Sequence, residues 1–152
     1  MAEAVLPANS VGIWAFGPSV TRFVPAGYHP EAAHESMVEK TKRVAGGLAD
    51  VLDGLEYHYP FEVNEVNEVN VAQISDVLET HGMALPVVAS GLQPDPTYAL
   101  GSLINPDTGL RRRAIETNLR GVELAASIGA SFIVWPGSEG YNYLFQRRYA
   151  DT

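Results

Sequence analysis

Two tryptophans, one histidine and a few polar side chains stand where short apolar runs of this sequence stop. Trp14 and Phe16 close the first run, and His58, Tyr59 and Glu62 follow the second. Ser90, Gly91 and Gln93 follow the third, and Trp135, Ser138 and Glu139 the fourth. Indole faces pack against the C–H faces of a carbohydrate ring, while a few polar groups satisfy its hydroxyls. Alternation along Leu55-Glu56-Tyr57-His58 puts Glu56 and His58 on one side of an extended segment. A histidine there is a group able to move a proton.

Plainer readings stand beside these. Trp14 and Trp135 end apolar strands, so a core indole with its N–H satisfied is as good an account as a ligand wall. Glu139, in Gly137-Ser138-Glu139-Gly140, suits either contact with a ligand or orientation of a loop through backbone N–H groups. His29, His34 and His81 lie near helix ends or on helix faces and read as solvated.

Other chemistries are excluded by what is missing. The sequence has no cysteine, which removes disulfides, thiolate catalysis and thiolate metal sites. It has no Gly-x-Gly-x-x-Gly after the first run, no phosphate-binding Gly-x-x-x-x-Gly-Lys-Ser/Thr and no Gly-x-Ser-x-Gly elbow. No His-x-x-x-His pair is present, and no set of metal ligands can be assembled.

The elements that must position these residues alternate. The apolar runs 11–16, 54–58, 84–89 and 131–135 read as strands, nearly continuous in hydrophobicity as in a parallel sheet covered on both faces. A first helix is expected to open at Pro30-Glu31 and to bury Met37, Thr41, Val44, Ala45 and Leu48. A second is expected to be capped by Asn70, with Gln73 three residues on, to bury Ile74, Val77 and Leu78, and to stop at Gly82. A third begins near Asn105-Pro106-Asp107, carries Ile115, Leu119, Val122 and Ala126 as its stripe, and ends at Gly129. Residues 141–149 look like the start of a fourth. Strand and helix in alternation is the grammar of parallel βαβ units. Three tandem Glu-Val-Asn triplets from Glu62 to Asn70 hold neither period; they read as a solvated loop and helix approach, rather than a carboxylate comb for cations.

Composition sets the outer bounds. The 152 residues, 46% hydrophobic and 18% charged, suit a single globular domain over 1–152. A net charge of −8 argues against nucleic acid as a partner, and Arg111-Arg112-Arg113 reads as a helix face. The first residues lack the pattern of a signal peptide, and no run reaches the roughly 18 apolar residues of a membrane span. A soluble, cytoplasmic protein without a membrane partner is the expectation.

In order along the chain, these segments resemble the xylose isomerases. Val11-Gly-Ile-Trp-Ala-Phe-Gly17 resembles their first strand, and Leu55-Glu-Tyr-His58 their second. Leu85-Pro-Val-Val-Ala-Ser90, Arg111-Arg-Arg-Ala-Ile-Glu116 and Glu123-Leu-Ala-Ala-Ser-Ile-Gly-Ala130 are similar to the third strand and its helix. Val134-Trp-Pro-Gly-Ser-Glu-Gly140 is similar to the signature that ends the fourth. The resemblance implies an α/β fold of the (β/α)8 TIM-barrel type, here about four βα units, the N-terminal half. It implies a sugar isomerase or epimerase acting by metal-assisted proton transfer, with His58 assisting ring opening and Trp14 and Trp135 as walls of the sugar pocket. The divalent metal it implies (manganese, magnesium or cobalt) takes its ligands from later strands, not from this chain. Phe61 stands where the family has an aspartate, with Glu62 next to it; Gln93 stands where it has an aromatic. Pro136 and Ser138 replace a glycine and an arginine of the fourth-strand signature. Two alternatives stay open: a metal-dependent subunit that cleaves C-glycosides, and a non-catalytic half-barrel. Four strands leave two open edges, so self-association or a complementary half-barrel chain is expected as partner beside the sugar or glycoside.

Overall fold

A computed structural model describes residues 8–17, 35–63 and 68–135. Its elements run β1 (Ser10–Gly12), a 3₁₀ turn (Ile13–Phe16), α1 (Met37–Leu48), β2 (Gly54–Tyr59), α2 (Glu68–Thr80), β3 (Val87–Ser90), a second 3₁₀ turn (Pro96–Tyr98), α3 (Thr108–Ser127) and β4 (Ser131–Ile133). The four strands lie in chain order, β1-β2-β3-β4, every neighbouring pair parallel. Gly12 pairs with Glu56, His58 with Ala89, and Ala89 with Ile133. The fold is α/β, in the arrangement of half a TIM barrel.

The core lies between sheet and helices. Leu55, Tyr57 and Tyr59 of β2 and Val88 of β3 meet Val44 and Ala45 of α1 and Ile74 and Leu78 of α2, all buried. Inside this layer the Tyr57 hydroxyl lies 2.9 Å from Thr41 Oγ1, which donates to the Met37 carbonyl. One hydroxyl proton is thus committed, so Tyr57 is the donor to Thr41.

Four expectations need correction. The run 11–16 is not one strand: pairing ends at Gly12, and the chain turns so that Ile13 is fully buried and the Trp14 ring lies back over Gly12. Helix α1 does not include Glu35 or Ser36, and the expected Pro30-Glu31 start lies outside the described residues. Ser36 caps it instead: Glu39 N–H donates to Ser36 Oγ and Ser36 N–H to Glu39 Oε2, a reciprocal box that satisfies two end donors. Helix α2 begins at Glu68, placing Asn70 inside its first turn, where Asn70 Nδ2 reaches back to the Glu62 carbonyl at 3.4 Å rather than capping.

The fourth correction concerns α3. Asp107 caps it through Oδ1, which accepts from the amides of Gly109 and Leu110. The buried face is Ala114, Asn118, Gly121 and Ala125, while Ile115, Leu119 and Val122 are exposed by 48%, 57% and 45%. The reason lies in the sheet. Phe132 of β4 and Tyr59 of β2 fill the space under α3, and a Cβ at Gly121 would come within 2.5 Å of the Phe132 ring. Large side chains come from the strands, so the helix offers small ones. Helices α2 and α3 end at Gly82 (φ 67°) and Gly129 (φ 73°), left-handed positions that favour glycine. The expected helix over 141–149 and the middle Glu-Val-Asn triplet lie outside the described residues.

Candidate functional site

Strand β2 divides its side chains cleanly. Leu55, Tyr57 and Tyr59 go to the helices, and half-buried Glu56 and His58 go to the opposite face of the sheet. There Glu56 Oε1 accepts from Ser10 Oγ at 2.5 Å, linking β2 to the start of β1.

His58 is held from two directions. The Trp14 ring lies 3.9 Å from the His58 ring between centroids, tilted by 31°. Gly12 makes room for that indole, since a Cβ there would overlap Trp14. On the other side the chain turns sharply after β2: the amides of Glu62 and Val63 both donate to the His58 carbonyl, at 2.9 and 3.2 Å. The turn, which includes a cis Tyr59–Pro60 peptide, carries the Glu62 carboxylate back to His58. Glu62 Oε2 accepts the His58 backbone N–H at 2.7 Å and stands 3.4 Å from His58 Nδ1. A carboxylate at Nδ1 favours the proton on that nitrogen and leaves Nε2 as the basic one. Glu62 thus meets His58 at both its backbone amide and its ring, a contact the sequence does not announce.

The same turn presents Phe61, 54% exposed, with its ring over Gly91 at the end of β3. Gly91 N–H donates to the Tyr59 carbonyl at 2.7 Å and ties the two strand ends together.

The remaining expected residues are spread along the same sheet margin. Phe16 is half-buried against the core, and its carbonyl accepts from Arg43, which also pairs with Glu35 at 2.7 Å. That guanidinium, by its hydrogen bond above all, holds the Glu35 carboxyl below its usual range. Gln93 is half-buried in the turn after β3. Trp135 follows the end of β4, 58% exposed and two strands across from His58, about 10 Å at ordinary strand spacing. Glu139 lies outside the described residues. The structure therefore brings Trp14 and His58 together, adds Glu62, and leaves Trp135 apart from them.

A cleft of about 480 Å³ between α2 and α3, lined by Val71, Ala72, Ser75, Arg120, Glu123, Leu124, Ser127 and Ile128, holds none of these residues. It lies in the helix layer, across the sheet from His58.

Among the described residues no three His, Cys, Asp or Glu side chains converge, so they do not fit the divalent ion implied by the resemblance. Nor, among the described residues, is any helix long and apolar enough to cross a membrane.

No family model matches the chain. Over 71 residues it is 34% identical to a xylose isomerase of Thermus thermophilus, and 32% identical to one of Thermus caldophilus. In each case the match covers 46% of this chain and 18% of the relative. The similarity is partial on both sides, and over that part the chain is xylose isomerase-like.

Proposed function

We propose that this chain contributes the ring-binding and proton-handling margin of a sugar isomerase- or epimerase-like protein. The observation that carries the reading is the Trp14–His58–Glu62 constellation at the carboxyl ends of β1 and β2. In parallel α/β folds ligands bind beyond those ends. Trp14 offers an apolar face for sugar C–H groups, Glu62 fixes the imidazole, and Nε2 exchanges a proton with a ring or carbonyl oxygen. Isomerisation moves a proton between adjacent sugar carbons, and opening the ring is the step in which such a histidine serves.

The test is titration of the protein with D-xylose, following the His58 and Trp14 signals by NMR, with conversion to the ketose followed separately. Binding that shifts both rings, with the shift at Trp14 retained in His58→Gln, supports the reading. Xylose that leaves both signals unmoved refutes it.

A second reading is favoured by a different observation. Ile133, Val134 and Trp135 at the β4 edge, and the apolar stripe of α3, are exposed together. Among the described residues β4 has no neighbour on its outer side, and such an edge beside an exposed apolar helix face favours pairing with another half-barrel, as a second copy or a separate chain. A monodisperse monomer by light scattering argues against it.

A further inference from the structure

We infer that Phe61 is a second ring-stacking wall for the bound carbohydrate, on the opposite side of His58 from Trp14. The inference rests on the carbohydrate reading of Trp14 and His58 and extends it to a residue outside that constellation. A singly exposed phenylalanine is unremarkable by itself; the way this one is seated is what matters. A Cβ at Gly91 would lie 2.7 Å and 3.1 Å from two edge atoms of the Phe61 ring and 2.6 Å from the Tyr59 carbonyl oxygen. The ring is thus laid against bare backbone, made possible by the absence of a side chain at Gly91, and still remains 54% exposed.

The register gives the side of the sheet. His58 pairs with Ala89, and alternation along β3 carries Ala89 and Gly91 to the face that His58 occupies, opposite Val88 in the core. A ring covering that face of Gly91 stands on the β3 side of His58, whereas Trp14 approaches from β1. Two aromatic surfaces therefore bracket one imidazole, a geometry suited to a hydroxylated ring of pyranose or furanose size whose C–H faces are apolar and whose edge is polar.

The experiment measures D-xylose affinity by NMR titration of the full chain for wild type, Phe61→Leu, Phe61→Tyr and Trp14→Leu, with melting temperature as a second readout. Phe61→Leu keeps apolar bulk and removes the aromatic face. It is expected to weaken xylose binding about tenfold with its melting temperature unchanged, while Phe61→Tyr stays within about twofold of wild type. Wild-type affinity in Phe61→Leu, alongside weakened binding in Trp14→Leu, overturns the role of Phe61 and leaves the Trp14–His58 reading in place. A large fall in melting temperature for Phe61→Leu also overturns it, since the ring would then be core. Xylose that moves neither the Trp14 nor the His58 signals removes both.

Discussion

The indole of Trp14 rests against the imidazole of His58, 3.9 Å between centroids, because Gly12 leaves the space beneath it open. Gly12→Ala is therefore expected to push Trp14 off His58. The ring-current shift of the His58 carbon-bound protons collapses, and stability falls by about 1–3 kcal/mol through overpacking. Unchanged His58 shifts in this variant would show that the indole has another place to go.

The Tyr57–Thr41 pair has a direction, and the direction predicts an inequality. Tyr57→Phe removes the donor and leaves Thr41 still bonded to the Met37 carbonyl, a loss of about 1 kcal/mol. Thr41→Val strands the Tyr57 hydroxyl in the core and is expected to cost more, up to about 3 kcal/mol. Urea denaturation of the two variants orders them.

Alkaline pH probes the same hydroxyl. Burial above all pushes the Tyr57 ionisation upward from its ordinary value of 10.0. The neutral form is favoured in the folded chain, so this contribution is fully present below about pH 10 and is lost as pH rises above the unfolded value. Stability measured between neutral pH and pH 11 is expected to fall at the upper end, and to fall less steeply in Tyr57→Phe.

Two helix glycines should respond with opposite sign. In α1 nothing lies within 4 Å of a Cβ at Gly47, so Gly47→Ala should add up to about 1 kcal/mol from helix propensity. In α3, Gly121→Ala meets Phe132 at 2.5 Å and Tyr59 at 3.1 Å and should destabilise, with Phe132→Leu restoring part of the loss. Thermal melts of the three variants and the double mutant check both.

Asn118 is 9% exposed on the face of α3 that meets the sheet, and neither of its amide atoms has a hydrogen-bond partner among the described residues. Removing an unpaired buried polar group relieves its desolvation penalty. Asn118→Leu is expected to leave the melting temperature unchanged or raise it; a clear drop would mean that the amide bonds a water molecule.

The order of strands and helices was legible because long apolar runs and glycine stops dominate it. Gly82 and Gly129 mark helix ends in sequence and in space alike. Which face of a helix turns inward was less legible. Ile115, Leu119 and Val122 have the better hydrophobic spacing, yet the bulk of Phe132 and Tyr59 selects Ala114, Gly121 and Ala125. Such a choice depends on residues far along the chain. The start of α1 shows a nearer signal passed over: Ser36-Met-Val-Glu39 spells a capping box, and it sets the boundary. At the site, the meeting of Trp14 with His58 follows from adjacent strands. The clasp of Glu62 does not, because it depends on how the chain turns between Tyr59 and Val63.

Among the described residues each strand pairs with its neighbours in sequence and no other, so a change of length in one connection need not disturb the others. The Glu-Val-Asn triplets begin at Glu62, in the turn after β2, and end at Asn70, in the first turn of α2. Gain or loss of a triplet there alters the reach of one link, while the alignments Gly12 to Glu56, His58 to Ala89 and Ala89 to Ile133 stay as they are. Variation in copy number there would be felt at the ends of the repeat, where Glu62 meets His58 and Asn70 meets the Glu62 carbonyl, and not in the pairing of the sheet.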